Sequence, residues 1–162
     1  MALEAFSSLK SGEAELLIYG EDSDPRQAGE LLKKHSDVKN VHFKGVYDDP
    51  DEAFSKTDVL VVPSICEETY SLVAHEAAAA GIPVIAPKSG AFPEFVKDGI
   101  NGFLFCSGDS ADLKEKMGKF IGQPQLLDTF GGHITPVENM DNHARKIMSL
   151  YRSLIAKSSS GV

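Results

Sequence analysis

Short apolar runs, several rich in β-branched residues, alternate along this chain with stretches whose apolar positions recur at helical spacing. Leu16-Leu17-Ile18-Tyr19 reads as a strand ending at Gly20, and Val41-His42-Phe43 as a short strand ending at Gly45. Val59-Leu60-Val61-Val62 is a predicted buried strand closed by Pro63-Ser64, with further strands at Pro83-Val84-Ile85-Ala86 and at 102–105. Helical patterns over 2–10, 25–36, 50–56, 71–80, 92–97 and 110–121 fall between them, the fourth stopped by Gly81. Strands without internal polar alternation are covered on both faces, and βαβ crossovers supply that cover. The predicted fold is α/β, an open and doubly wound parallel sheet of Rossmann type.

A last helix is signalled by Thr135 as N-cap, Pro136 at the first helical position and Glu138 completing a capping box. Met140, Ala144, Ile147, Met148, Tyr151, Leu154 and Ile155 then mark one apolar face. Residues 1–157 are expected to form one domain, followed by a frayed tail over 158–162.

Composition narrows the function. A chain of 162 residues and 17.5 kDa is large enough for one proper core. Its net charge of −8, without a basic stripe, argues against nucleic acid as a partner. No apolar run approaches a membrane span and no signal-peptide pattern opens the chain. Cys66 and Cys106 stand apart without CxxC spacing, so buried free thiols in a reducing, cytoplasmic setting are expected. The histidines at 35, 42, 75, 133 and 143 lack metal-ligand spacing, and no metal or bound cofactor is expected.

Ligands of such sheets gather at the carboxyl ends of the strands. Those ends are Gly20-Glu21, Gly45-Val46-Tyr47, 63–70 and 87–92, where glycine and short polar residues cluster. Glu68 and Glu76 flank the predicted start of the helix at Ser71. An opening helix N-terminus between two acids suits a ligand carrying both phosphate and hydroxyl groups, because unpaired amides bind the first and carboxylates the second. On a helical wheel Glu76 falls in the arc of Leu72, Val73, Ala77 and Ala80, which is expected to face the sheet and to desolvate the carboxylate partly. At ~1.5 Å per residue, Glu76 lies roughly 6 Å from the helix start, within reach of a ribose whose diphosphate rests on the amides of Leu72 and Val73. Taken singly, each feature has a plain alternative: Glu76 reaching solvent past its alanine neighbours, Glu68 as a solvated loop charge, and Ser71 as an ordinary N-cap.

The ordered set Pro63-Ser64, Glu68-x7-Glu76, Ala80-Gly81-Ile82-Pro83-Val84-Ile85-Ala86, Ser89-Gly90-Ala91-Phe92-Pro93-Glu94, Asp98-Gly99 and Asn101-Gly102 resembles the C-terminal, donor-binding domain of family 4 retaining glycosyltransferases. The resemblance covers nearly the whole chain and implies the GT-B architecture of two facing Rossmann-like domains. It implies that Glu76 holds the nucleotide ribose and that Glu68 contacts donor-sugar hydroxyls near the reacting carbon. By the same resemblance, the amides of Tyr70 and Ser71 face sugar and phosphate, those of Leu72 and Val73 the diphosphate, Val46 the base, and Gly20 lines the cleft. The expected partner is a nucleoside diphosphate sugar, used as donor substrate without a metal.

Two departures stand out. The family's first strand, the basic pair after it and the N-terminal acceptor domain have no counterpart here, and Ala91 stands where a second glycine is common. Loss of a central strand would leave 16–19 and 59–62 without their shared neighbour. Either these strands pair directly, or another chain fills the gap, or the fold is marginal. Self-association through the last helix's apolar face is also expected. Other functions fit less well. A non-catalytic subunit completing a partner chain is the main alternative, since no phosphorylase or epimerase pattern is present.

Overall fold

The computed structural model of the chain describes residues 1–9, 14–20, 40–135 and 138–159. The expected helix at 25–36 and the positions of Lys10, Glu21 and Pro136 lie outside the described residues. The elements are α1 (Ala2–Ser7), β1 (Leu16–Tyr19), β2 (Val41–Gly45), α2 (Pro50–Phe54), β3 (Leu60–Val61), α3 (Leu72–Ala79), β4 (Val84–Pro87) and α4 (Phe92–Phe95). They continue with β5 (Gly102–Phe105), α5 (Ser110–Gly122), α6 (Leu126–Gly131) and α7 (Met140–Ser159).

All described pairings are parallel, in two groups: β1 with β2, and β3-β4-β5. Direct pairing of β1 with β3 does not occur among the described residues. Leu60 and Val62 donate to Pro83 and Ile85 of the β4 side at 3.0 and 2.9 Å, so the intervening Val61 amide faces away from β4, toward a side where no described strand pairs. Likewise Leu16 and Gly20 donate to Asn40 and Gly45 at 2.8 and 2.9 Å, which turns the amides of Leu17 and Tyr19 the other way.

Pleat alternation builds two cores on opposite faces of β4 and β5. Ile85, Phe103 and Phe105 meet Ala5, Phe6, Leu113, Met117, Phe120 and Phe130 on one side. Val84, Ala86 and Leu104 meet Val62, Ala74, Ala77, Ile82, Phe92 and Val96 on the other. Every residue of β4 and β5 is buried, as central strands require. Among the described residues, all of β2 but Val41 are exposed, and Val41 packs against the first core.

Capping explains where α5 begins. The Asp109 carboxylate accepts from the amides of Ala111 and Asp112 at 2.9 and 3.0 Å. Asp112 in turn reaches back to the Cys106 amide at 2.8 Å and pairs with Lys116 at 3.2 Å. The Cys106 N–H, helped by Lys116, outweighs partial burial and holds the Asp112 carboxyl below the ordinary aspartate range. A depressed folded-state pKa contributes stability that is complete above the unfolded value of about 3.9 and disappears as pH falls through the lower folded value. Asp112→Asn is therefore expected to flatten the acid limb of a urea-midpoint-against-pH curve below about pH 4.

The last helix starts later than the capping-box pattern implies. Asn139 accepts from the Asn142 amide at 2.9 Å and is the cap, while Glu138 pairs with Lys146 at 2.7 Å. Met140, Met148, Leu150, Tyr151, Leu154 and Ile155 are exposed along α7. Among the described residues, no helix is long and apolar enough to cross a membrane. Cys66 and Cys106 are free but exposed, against expectation: Cys66 lies in the loop between β3 and α3, and Cys106 directly follows the buried strand β5.

Candidate functional site

The segment joining β3 to α3 is held in place at Glu68. The Ser64 hydroxyl donates to its carboxylate, and its carbonyl accepts from the Ala91 amide at 2.8 Å. The turn after β4 thereby docks against the loop after β3. Gly90 makes this approach possible. Its φ is +56°, and a Cβ there would lie 2.8 Å from the Glu68 nitrogen and closer still to the Glu68 carbonyl oxygen.

Ser71 is the N-cap residue of α3 and is 3% exposed, yet its hydroxyl makes no capping bond and has no partner among the described residues. The first helical bond runs from the His75 amide to the Ser71 carbonyl at 3.1 Å. The amides of Leu72, Val73 and Ala74 thus reach no acceptor among the described residues, and three donors point out of the helix start with its positive dipole behind them. The Ser89 hydroxyl, in the neighbouring turn, is a second buried oxygen without a partner. Buried polar atoms are rarely left unsatisfied, so each marks a place where a polar atom from outside the chain would fit.

Burial on α3 differs from the wheel-based expectation. Ser71, Ala74 and Ala77 form the buried stripe, at spacings of three, while Leu72 is 70% exposed and Glu76 and Ala80 are exposed as well. Small side chains bring the helix down on one narrow edge, and that rotation turns Leu72 and Glu76 outward. The Glu76 carboxylate therefore faces solvent on the flank of the open amides, without ion-pair or hydrogen-bond partner among the described residues. Val73 is half-buried, and Tyr70 is 56% exposed.

Two of the anticipated residues form a separate group. Gly20, at φ +121°, donates to the Gly45 carbonyl at 2.9 Å, which sets the end of β1 beside the loop carrying Val46. Val46 is 65% exposed. Asp98 and Asn101, by contrast, are structural. Asp98 accepts from the Leu104 amide at 2.9 Å, and Asn101 bridges the Lys97 amide and the Phe95 carbonyl at 2.7 and 2.9 Å.

Ser64 and Ser89 lie in the motifs quoted from the sequence but were given no role there, and neither was His75. His75 stacks on Tyr70 with centroids 3.9 Å apart and 15° between planes, and its other side meets Phe95 at 4.4 Å. The spacing of four from Ser71 to His75 was the one available signal, and helices contain many such pairs. No metal-holding group of three or more His, Cys, Asp or Glu occurs among the described residues.

The sequence profile of the glycosyl transferases group 1 family matches residues 1–123. The chain belongs to that family. A phosphatidyl-myo-inositol mannosyltransferase of Mycobacterium leprae is 30% identical over 155 residues, covering 91% of this chain and 40% of the relative. A D-inositol 3-phosphate glycosyltransferase of Streptomyces griseus is 38% identical over 78 residues, 48% of this chain and 16% of the relative. Sucrose-phosphate synthase from Thermosynechococcus elongatus superimposes with a TM-score of 0.79 at 28% identity, over 96% of this chain and 41% of that one. Anabaena HepE in complex with UDP-glucose gives 0.74 at 21% identity, over 99% and 44%, a likeness of fold. This group 1 glycosyltransferase chain thus has the Rossmann-like C-terminal fold of GT-B enzymes and spans at most about 40% of those two curated relatives.

Proposed function

We propose that this chain is the donor-binding part of a retaining glycosyltransferase that moves a hexosyl group from a nucleoside diphosphate sugar to an acceptor hydroxyl. The observation that carries the reading is the start of α3: three amides and a buried Ser71 hydroxyl without partners among the described residues, and an acid on either side in sequence. The diphosphate rests on the amides of Leu72 and Val73, where fixed dipoles also stabilise the charge that grows on it as the sugar leaves. The amides of Tyr70 and Ser71 face the sugar and the adjoining phosphate. Glu76 accepts from the ribose hydroxyls, and Glu68, held by Ser64 and Ala91, accepts from the sugar. Val46 meets the base, and Gly20 lines the cleft beside it.

In this reading the chain supplies the donor side of the reaction, and it spans 40% of the mannosyltransferase relative. Calorimetry with UDP-, GDP- and ADP-sugars tests the site, and UDP-glucose, which HepE holds, is the first to try. Glu76→Ala is expected to weaken binding by about tenfold or more, the worth of a hydrogen bond to a charged acceptor. No binding of any of these donors to demonstrably folded protein would end the donor-site reading.

Among the described residues β1 and β3 each pair with a single strand, which favours a second role, a subunit that completes a partner chain. Co-purification with a second chain, or transferase activity that appears only on mixing, would support it.

A further inference from the structure

We propose that His75 is a positioning residue for the phosphate-binding amides of α3, an inference that rests on the donor-site reading above. Its Nδ1 lies 2.8 Å from the Ser71 carbonyl oxygen. A carbonyl can only accept, so Nδ1 carries the proton. The same oxygen also takes the His75 backbone N–H at 3.1 Å, and two donors from one residue therefore fix the Ser71 carbonyl.

The consequence lies across the peptide bond. Ser71 C=O and Leu72 N–H belong to one rigid plane and point in opposite directions. Fixing the carbonyl fixes the line along which the Leu72 amide is presented, and loading that carbonyl polarises the unit and strengthens its N–H as a donor. An ordinary N-cap orders a helix start by letting its hydroxyl accept from the amides of the first turn, which consumes them. Ser71 does not do this, because its hydroxyl has no partner. His75 orders the same turn from the carbonyl side and leaves the amides of Leu72, Val73 and Ala74 open to a ligand.

The imidazole is itself braced. Phe92, 1% exposed, meets Phe95 at 6.1 Å, Phe95 meets His75 at 4.4 Å, and His75 meets Tyr70 at 3.9 Å. A run of four rings therefore joins the core to the loop that ends at Ser71. Core packing of α3 is supplied by Ala74 and Ala77, so the ring is not required to seat the helix.

Three measurements on the 162-residue chain test this. Long-range proton–nitrogen spectra of the unliganded protein are expected to show neutral His75 protonated at Nδ1. Calorimetry then compares wild type, His75→Phe and His75→Asn, using whichever of UDP, GDP and ADP binds most tightly. His75→Phe keeps a ring in the stack and removes the bond, and is expected to weaken the diphosphate about three- to tenfold. Binding of the matching nucleoside should be unchanged. Asparagine places an amide donor at the position of Nδ1, so His75→Asn is expected to recover most of the lost affinity.

A proton found on Nε2 with Nδ1 bare, or wild-type diphosphate affinity in His75→Phe, overturns the inference alone. An equal loss of nucleoside and diphosphate binding does the same, since it would mean a general structural role. Failure of wild type to bind any of the three diphosphates removes the donor-site reading and this inference together.

Discussion

Gly90→Ala is expected to lower stability by about 2–4 kcal/mol and to take donor binding below detection. Two effects add at this position. The backbone is at φ +56°, where an L side chain is strained, and the new Cβ would press on the nitrogen and carbonyl of Glu68 rather than on a flexible side chain. Relief requires the Ser89–Ala91 turn to move away from Glu68, which breaks the 2.8 Å bond from the Ala91 amide. Glu68 then keeps only the Ser64 hydroxyl, and the loop leading to Ser71 loses its support. Gly99→Ala is the control: its φ is +75°, with no atom within 4 Å of where the new Cβ would stand, so it pays for conformation alone, about 1 kcal/mol. Urea midpoints for the two variants separate close approach from backbone strain. Equal losses in both would show that the contact with Glu68 does not matter.

The residues around this contact show what the sequence could and could not convey. Apolar runs without alternation located all five described strands, and β4 and β5 are buried along their whole length because helices lie on both faces. The start of α3 after Ser71 was legible because a helix N-terminus has a local signature. The rotation of α3 was not. A wheel shows which residues share a face, but Leu72 and the stripe through Ala74 and Ala77 compete for the sheet, and close approach by the smaller residues decides it. His75 was invisible for a related reason, since its partners Tyr70 and Phe95 meet it only after α3 and α4 pack. Helix α6 went unpredicted as well. Leu126, Leu127 and Phe130 give only one turn of periodicity, too little to stand out between Pro124 and the Gly131-Gly132 pair.

That short helix nevertheless carries one of the heaviest single contributions to the core, and Phe130→Ala is expected to cost about 3–5 kcal/mol. Phe130 is 3% exposed and stands edge-on to Phe103 at 5.1 Å and to Phe120 at 5.5 Å, while those two meet at 5.2 Å. Each ring thus presents its edge to a neighbour's face, an arrangement worth about 0.5–1.5 kcal/mol per pair beyond burial. Removing one ring opens a cavity whose walls are strand β5 and helix α5, neither of which can collapse without disturbing the pairing of β5 with β4. Against a total of about 5–15 kcal/mol for an ordinary domain, this is a large share, and a clear fall in the urea midpoint is the expected result. The effect on the ligand should differ from that of Gly90→Ala. The bonds from Ser64 and Ala91 to Glu68 do not involve the triad, so donor affinity measured at low temperature, where the variant is still folded, should stay within about threefold of wild type. A cost below about 1 kcal/mol would mean that α6 is not docked on the core in solution.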